Sequence, residues 1–245
     1  MRITRRAVLV SGLVVGGGLA VGLCAGVGAL GLHDRRAHQA AGAEGEGPLV
    51  ALWIQIRPDG TTVLYSPHTE MGQGTQTALG QLVAEELDIP WERLQVVQAP
   101  ADVAFTNGNV IQGFILDDGT FGGFLEKVIE STFYLGGDLM HVQMTGGSTS
   151  IRFTGWRSMR VAAAAARELL LQAGAERLGV PLAELATADA NVVHQASGRA
   201  LSYGELATAA AALPVPQEPA CRTPDQWRLV GTSHPRMDTP EKVFG

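Results

Sequence analysis

The sequence predicts an α+β fold with a mixed sheet and packed helices, and three observations carry the prediction. Alternating apolar residues on either side of Pro58-Asp59-Gly60 read as a β-hairpin, Leu49 to Ile56 and Thr61 to Ser66. Ala78, Leu79, Leu82, Val83 and Leu87 then fall on one helical stripe, and "LQVVQAP", Leu94 to Pro100, reads as a third strand. Further on, Trp156 to Leu178 is an alanine-rich helix.

The remaining elements fill in around this order of β-β-loop-α-β. Residues Asn107 to Met144 are rich in glycine and phenylalanine, with one helix expected from about Phe121 to Tyr134, and the stretch is read as an insertion. A short hairpin turns at Ser197-Gly198-Arg199. A helix from Tyr203 to Leu213 follows, with Ser202 as its cap and Glu205 completing a capping box. The proline-rich tail, 214–245, reads as an extended connection, which leaves a domain over 44–213 and a leading segment over 1–43.

Composition excludes several classes of function. The 245 residues carry 18 basic and 24 acidic side chains, a net charge of −6, with no lysine or arginine run to meet a phosphate backbone. No nucleic-acid partner is expected. Two cysteines, Cys24 and Cys221, offer neither a CxxC site nor a disulfide within a mature chain. The histidines, His33, His38, His68, His141, His194 and His234, lack ligand spacing, so no protein-ligated metal is expected.

Arg2, Arg5 and Arg6 precede an uncharged apolar and glycine-rich run from Ala7 to Leu32. That pattern is an export or anchoring signal. Thr4-Arg5-Arg6 with Val8 and Leu9 fits the twin-arginine address, although the lysine that often follows is absent. A run of about 26 residues also suffices to span a bilayer. Two outcomes stay open: cleavage near Ala41 to Ala43, or an uncleaved N-terminal helix holding the chain at the periplasmic face of the inner membrane. A buried helix of the folded domain is a third alternative, against which the flanking charges argue. Leu23 before Cys24, where a small residue is expected, argues against a lipoprotein.

Two loops carry the candidate chemistry. Gly72, Gln73 and Gly74 lead directly into the first helix, and Gly147, Ser148, Thr149 and Ser150, within the stretch Thr145 to Ser150, lead towards the alanine-rich one. Glycine permits close backbone approach, and a helix N-terminus offers unpaired N–H groups and a positive dipole end to an anion. Gln73 adds an amide that donates and accepts, and Arg152, Arg157 and Arg160 follow the second loop. The pair suits a clamp on an elongated, phosphorylated cofactor. The same features suit ordinary tight turns and N-caps, and neither loop matches the nucleotide P-loop or the dinucleotide fingerprint.

"DGTTVLYSPHTEMGQGTQTALGQLVAEELDIPWERLQVV", "TGGSTSIR" and "RVAAAAARELLLQAGAERLGVP" resemble the molybdenum-cofactor-binding large subunit of the xanthine oxidase family, in the isoquinoline 1-oxidoreductase beta and membrane-bound aldehyde dehydrogenase branch. The resemblance runs from about Leu49 to Gly245 and implies a molybdopterin-binding domain with molybdopterin cytosine dinucleotide as cofactor. It implies Gln73 near the molybdenum or pterin and Gly147 to Ser150 at the pterin or its pyrophosphate. It also implies hydroxylation of an aldehyde or N-heteroaromatic carbon with water as oxygen source. Electrons would leave through an iron–sulfur small subunit, which alone carries the clusters, and often a cytochrome c subunit.

The likeness departs from the family pattern at the tail. "PRMDTPEKVFG" resembles the hinge that precedes a hammerhead-like domain and the remaining molybdopterin-binding domains, expected here on another chain. The general-base glutamate is expected outside this chain, so the catalytic residues stay unknown, and Glu70 is expected to be a hydrogen-bonded loop carboxylate. The expectation is therefore a split or truncated hydroxylase subunit, inactive alone. A non-catalytic cofactor-binding or assembly module, or an inactive fragment, is the alternative.

Overall fold

Pro58-Asp59-Gly60 turns the chain as its composition requires. The Asp59 carboxylate accepts the Thr61 N–H at 2.8 Å, and Gly60 takes a φ of 84°, the left-handed region that glycine enters freely. In the computed structural model, which describes residues 47–51, 53–116, 123–216 and 218–244, this turn joins β2 (Ile54–Ile56) to β3 (Thr62–Ser66). Ile54 stands opposite Leu64 and Ile56 opposite Thr62. The signal or anchor run expected over Ala7 to Leu32 lies outside the described residues. Among the described residues no helix is long and apolar enough to cross a membrane.

The expected strand Leu49 to Ile56 is broken in two. β1 (Leu49–Ala51) folds back antiparallel on β2, with Ala51 opposite Ile54. Trp53 takes a φ of 56° at this reversal, an uncommon conformation for a bulky side chain. Its indole is only 1% exposed, packs 6.1 Å from the Phe105 ring and donates to the Ala104 carbonyl at 2.9 Å. A buried indole with its N–H satisfied rewards the turn, and an unbroken apolar run conceals it from a period-two pattern.

β4 (Leu94–Gln98) completes the sheet in the order β1-β2-β3-β4 and runs parallel to β3, with Leu64 opposite Val96. A parallel pair needs a crossover, supplied by α1 (Thr75–Leu87) and the short turn Trp91–Arg93. The single apolar stripe expected of α1 is too narrow: Glu85 and Glu86 are buried together with Leu79, Leu82, Val83 and Leu87.

The stretch 107–144 is helical beyond expectation. α2 (Gly108–Leu116) was hidden by its glycines, and α3 (Gly123–Leu139) runs five residues past the expected end at Tyr134. The two approach through glycine, since a Cβ at Gly137 would come within 2.6 Å of Gly108 Cα. The alanine-rich helix also starts early. A single α-turn (Ser148–Ser150), a π-helical stretch (Ile151–Met159) and α4 (Arg160–Leu178) follow without a break, so Ser148 to Ser150 form the first turn and not a loop.

A second sheet of β5 (Leu185–Ala188), β6 (Asn191–His194) and β7 (Ala200–Ser202) is an antiparallel meander, of which only the β6–β7 hairpin was expected. Its turn is clipped by His194, which contacts Ser197 Oγ at 2.7 Å and Glu184 at 2.8 Å. α5 (Tyr203–Ala211) begins with the expected capping box of Ser202 and Glu205. The Tyr203 hydroxyl donates to the Leu87 carbonyl at 2.7 Å, occupying an acceptor at the end of α1.

The tail does not simply lead away. Pro224–Gln226 forms a short turn, α6 (Thr239–Phe244) ends the described chain, and the segment between returns across α1. Glu85 accepts the N–H groups of Arg228, Leu229 and Val230 at 2.7, 2.6 and 3.0 Å and pairs with the Arg222 guanidinium at 3.2 Å. Glu86 pairs with Arg160 at 2.8 Å, and Asp88 with Arg222 at 2.8 Å and with Arg228. Removing one partner of a buried ionic set costs about 3–5 kcal/mol. Urea unfolding should therefore show Glu85→Ala destabilised by about that amount, with amide exchange over 228–230 rising first. An unchanged midpoint would mean that the tail is not anchored there.

His68 follows β3 and is fully buried. Its backbone N–H donates to Ser66 Oγ at 3.2 Å, and its Nδ1 lies 3.5 Å from Asn107 Nδ2. Burial pushes the imidazole down to about 4 from an ordinary 6.5. The unfolded chain therefore takes up the proton first as pH falls below 6.5, so this contribution to stability is present above that pH and is lost on descent to about 4. At 1.36 kcal/mol per unit the loss is on the order of 3 kcal/mol. Between pH 7 and 4, wild type should lose that much more stability than His68→Gln; equal losses in the two proteins would refute a depressed His68.

Candidate functional site

The loop between β3 and α1 is organised by its own carboxylate. Glu70 Oε1 accepts the N–H groups of Gly72 at 2.8 Å and Gly74 at 2.9 Å, and Oε2 accepts that of Gln76 at 3.2 Å. Burial alone would raise the carboxyl, but these N–H groups and the Arg236 guanidinium outweigh it and hold Glu70 below the ordinary carboxylate range. Gly72 and Gly74 adopt φ of 100° and 75°, which only glycine enters without strain. A Cβ at either would meet nothing within 4 Å, so backbone conformation and not crowding selects them.

This corrects the expectation of an open anion loop at the first helix. At the start of α1 the Gly74 and Gln76 N–H groups, together with that of Gly72 before them, are occupied by Glu70. Glu70 is a hydrogen-bonded loop carboxylate.

The structure brings the two glycine loops into direct contact. The Gln73 amide nitrogen donates to the Thr69 carbonyl at 2.9 Å and to the Gly146 carbonyl at 3.1 Å, while its oxygen accepts the Met71 N–H. Thr75 Oγ1 donates to the same Gly146 carbonyl at 2.9 Å, and Thr145 Oγ1 to the Thr69 carbonyl at 2.8 Å. Gln73 is thus the bolt of the seam between the loops.

The second loop is different in kind. Gly147 heads the helical segment and has nothing within 4 Å of where a Cβ would stand. Ser148 is exposed, Thr149 half-buried and Ser150 buried. Ser150 Oγ has no hydrogen-bond partner among the described residues and lies 3.3 Å from a Cβ position on Gly146. Thr154 Oγ1, one helical turn along, and Gln112 Oε1 on α2 are buried and unpartnered in the same way. Buried polar atoms are normally satisfied by protein, water or ligand, so this end of the helix retains capacity for a polar group.

Of the arginines that follow, Arg160 is committed to Glu86 and to the Arg222 carbonyl and stacks 4.0 Å from the Trp156 ring centroid. Arg152 and Arg157 flank the Phe153 ring at 5.7 and 4.8 Å. Two residues that matter here escaped the sequence. Asn107 pairs with the Met144 peptide in both directions, at 2.7 and 2.9 Å, and so fixes the approach to Thr145. Gly113 makes room for Phe153, whose ring would lie 2.4 Å from a Cβ there, and so lets α2 close on the π-helical stretch. Only their type, an amide beside glycines, hinted at either.

A molybdopterin cofactor-binding domain model matches residues 15–110, a span that contains the Gln73 loop and stops before Gly147. The beta chain of isoquinoline 1-oxidoreductase from Brevundimonas diminuta is 29% identical over 228 residues, an alignment covering 79% of this chain and 25% of the relative. A nicotinate dehydrogenase subunit of Pseudomonas putida is 29% identical over 197 residues, covering 80% of this chain and 14% of its own length. The membrane-bound aldehyde dehydrogenase (pyrroloquinoline-quinone) of Gluconacetobacter polyoxogenes is 25% identical over 204 residues, 79% of this chain and 21% of that one. The chain spans a quarter or less of the length of these relatives. The chain thus carries a match to a molybdopterin cofactor-binding domain over 15–110 and is similar, over about four fifths of its length, to a portion of these oxidoreductase subunits.

Proposed function

We propose that this chain supplies part of the molybdopterin cradle of a molybdenum hydroxylase, with the cofactor's anionic portion at the Gly147–Ser150 turn. The observation that carries the reading is the closed seam between two glycine loops, beside a helix terminus whose buried Ser150 Oγ is unpartnered. Oxyanion recognition there draws on the first-turn N–H groups and on the Ser148 and Thr149 hydroxyls. Gln73 locks the two loops together and thereby sets the width of the cradle.

The finer assignments rest on the family resemblance of the sequence. Molybdopterin cytosine dinucleotide is the proposed form of the cofactor, and when bound it supplies two-electron oxidation of an aldehyde or N-heteroaromatic carbon with water as the oxygen source. The proposed partners are an iron–sulfur small subunit and a cytochrome c subunit. A periplasmic location, soluble or held at the membrane by the N-terminus, suits the leading arginines and apolar run.

The test is molybdenum and pterin content of the chain purified from its host, alone and with co-purifying chains. Molybdenum and pterin recovered with a partner support a hydroxylase subunit; their absence from every folded preparation sinks it and favours a non-catalytic module. Ser148→Asp separates a ligand site from a mere helix start. An acidic residue in the first turn stabilises a helix by about 0.3–1 kcal/mol, yet it repels an anionic ligand. Pterin content should fall by roughly tenfold, equivalent to 1.4 kcal/mol, while the unfolding midpoint holds or rises; unchanged pterin content would count against this turn. Gln73→Ala should also lower pterin retention several-fold, and wild-type retention would dismiss its bolt role.

A further inference from the structure

The tail segment from Leu229 to Asp238 lies along α1 and reaches the first loop. Gln81 donates to the carbonyls of Leu229 at 3.3 Å and Thr232 at 3.1 Å, the His234 ring stacks 4.9 Å from Trp91, and the Met237 N–H donates to Thr77 Oγ1 at 3.1 Å. Between these anchors Arg236 turns onto the loop itself. Its Nη1 donates to the Gly72 carbonyl at 2.6 Å and its Nη2 to Glu70 Oε1 at 3.2 Å. The guanidinium is held in place from the other side by Asp238, at 3.0 Å from Nε and 2.7 Å from Nη2, and Asp238 is itself held by Lys242.

We infer that Arg236 is a positioning residue: it latches the Glu70–Gly74 loop to the returning tail, so that the loop keeps its shape only while the tail is seated. Two physical consequences follow from the geometry. Gly72 has a left-handed backbone with open space around it, and a guanidinium on its carbonyl fixes the peptide that an unpinned glycine would let rotate. The Glu70 carboxylate, moreover, stands in a loop that touches the Thr145–Gly147 turn, where an unbalanced negative charge would oppose an anionic ligand. Arg236 balances that charge without spending the backbone donors of the second turn.

The latch on loop shape is independent of the cofactor; its effect on cofactor retention rests on the function proposed above. The experiment is hydrogen exchange over residues 69–76, with pterin content, on the full chain and its co-purifying partners for Arg236→Ala, Arg236→Lys and Glu70→Ala/Arg236→Ala. A hydrogen bond to a charged group is worth enough that Arg236→Ala should speed exchange in this segment roughly tenfold or more. Exchange over 191–202 should stay unchanged, and pterin content should fall with the loop. Lysine, which keeps the charge and loses the fork, should rescue partly. Glu70→Ala/Arg236→Ala should exchange at least as fast as Arg236→Ala, because the contacts to the Gly72 carbonyl and to the Glu70 carboxylate are then both lost. Wild-type exchange over 69–76 in Arg236→Ala overturns the latch, even if Ser148→Asp still loses pterin and so leaves the cofactor reading intact. Faster exchange in Arg236→Ala with pterin retained in both variants instead upholds the latch and removes the cofactor reading.

Discussion

A helix buried over most of its surface must find partners for its buried polar residues within the protein, and α1 is such a helix. Its apolar face covers the first sheet, and its other face carries Glu85, Glu86 and, just beyond its end, Asp88, all 4% exposed or less. Three carboxylates in that setting demand cations and N–H groups at close range. Arg160 comes from α4, and Arg222 and Arg228 come from the tail, together with three successive backbone N–H groups. The requirement therefore folds the tail back on the domain and binds α4 to α1, which places the two glycine-headed helical segments in one frame.

With α1 held at its C-terminal end, its N-terminal end becomes a fixed platform for the loop that precedes it. The seam of Gln73, Thr75 and Thr145 then couples that platform to the second turn across more than seventy residues of sequence. His68, the residue before Thr69 of the seam, lies against Asn107, and the Asn107–Met144 pairing fixes the chain just ahead of Thr145. Local sequence supplies two flexible glycine loops, and long-range hydrogen bonds turn them into one site.

How much of this was legible follows from the range of the interactions involved. The Pro58-Asp59-Gly60 hairpin, the β-α-β crossover and the Ser202/Glu205 capping box are local chemistry, and they stand where the sequence put them. The reversal at Trp53 depends on a pocket formed by Ala104 and Phe105, about fifty residues away. The helix through Gly108 is disfavoured by propensity and survives because α3 and Phe153 fill the space its glycines leave. Glu85 and Glu86 read as the solvent face of an amphipathic helix because nothing near them in sequence announces the arginines of the tail. At the site, the two loops were visible as motifs. Their contact, and the uptake of the first loop's N–H groups by Glu70, were not.

That last distinction separates two elements that look alike in sequence. Each loop places glycine before a helical segment, and the physics of an exposed helix terminus predicts the same appetite for an anion in both. The first has an acidic residue four positions before Gly74, and its carboxylate already fills the concavity, with Arg236 at its back. The second has hydroxyls where the first has a carboxylate, and hydroxyls satisfy fewer donors and carry no charge to exclude a ligand. Whether a helix start serves as scaffold or as receptor is therefore decided by whether the chain brings its own anion. Here it does so once: Glu70 takes up N–H groups of the loop before α1, while the turn at Gly147 has hydroxyls in place of that carboxylate and is where the anionic part of the cofactor is proposed to sit.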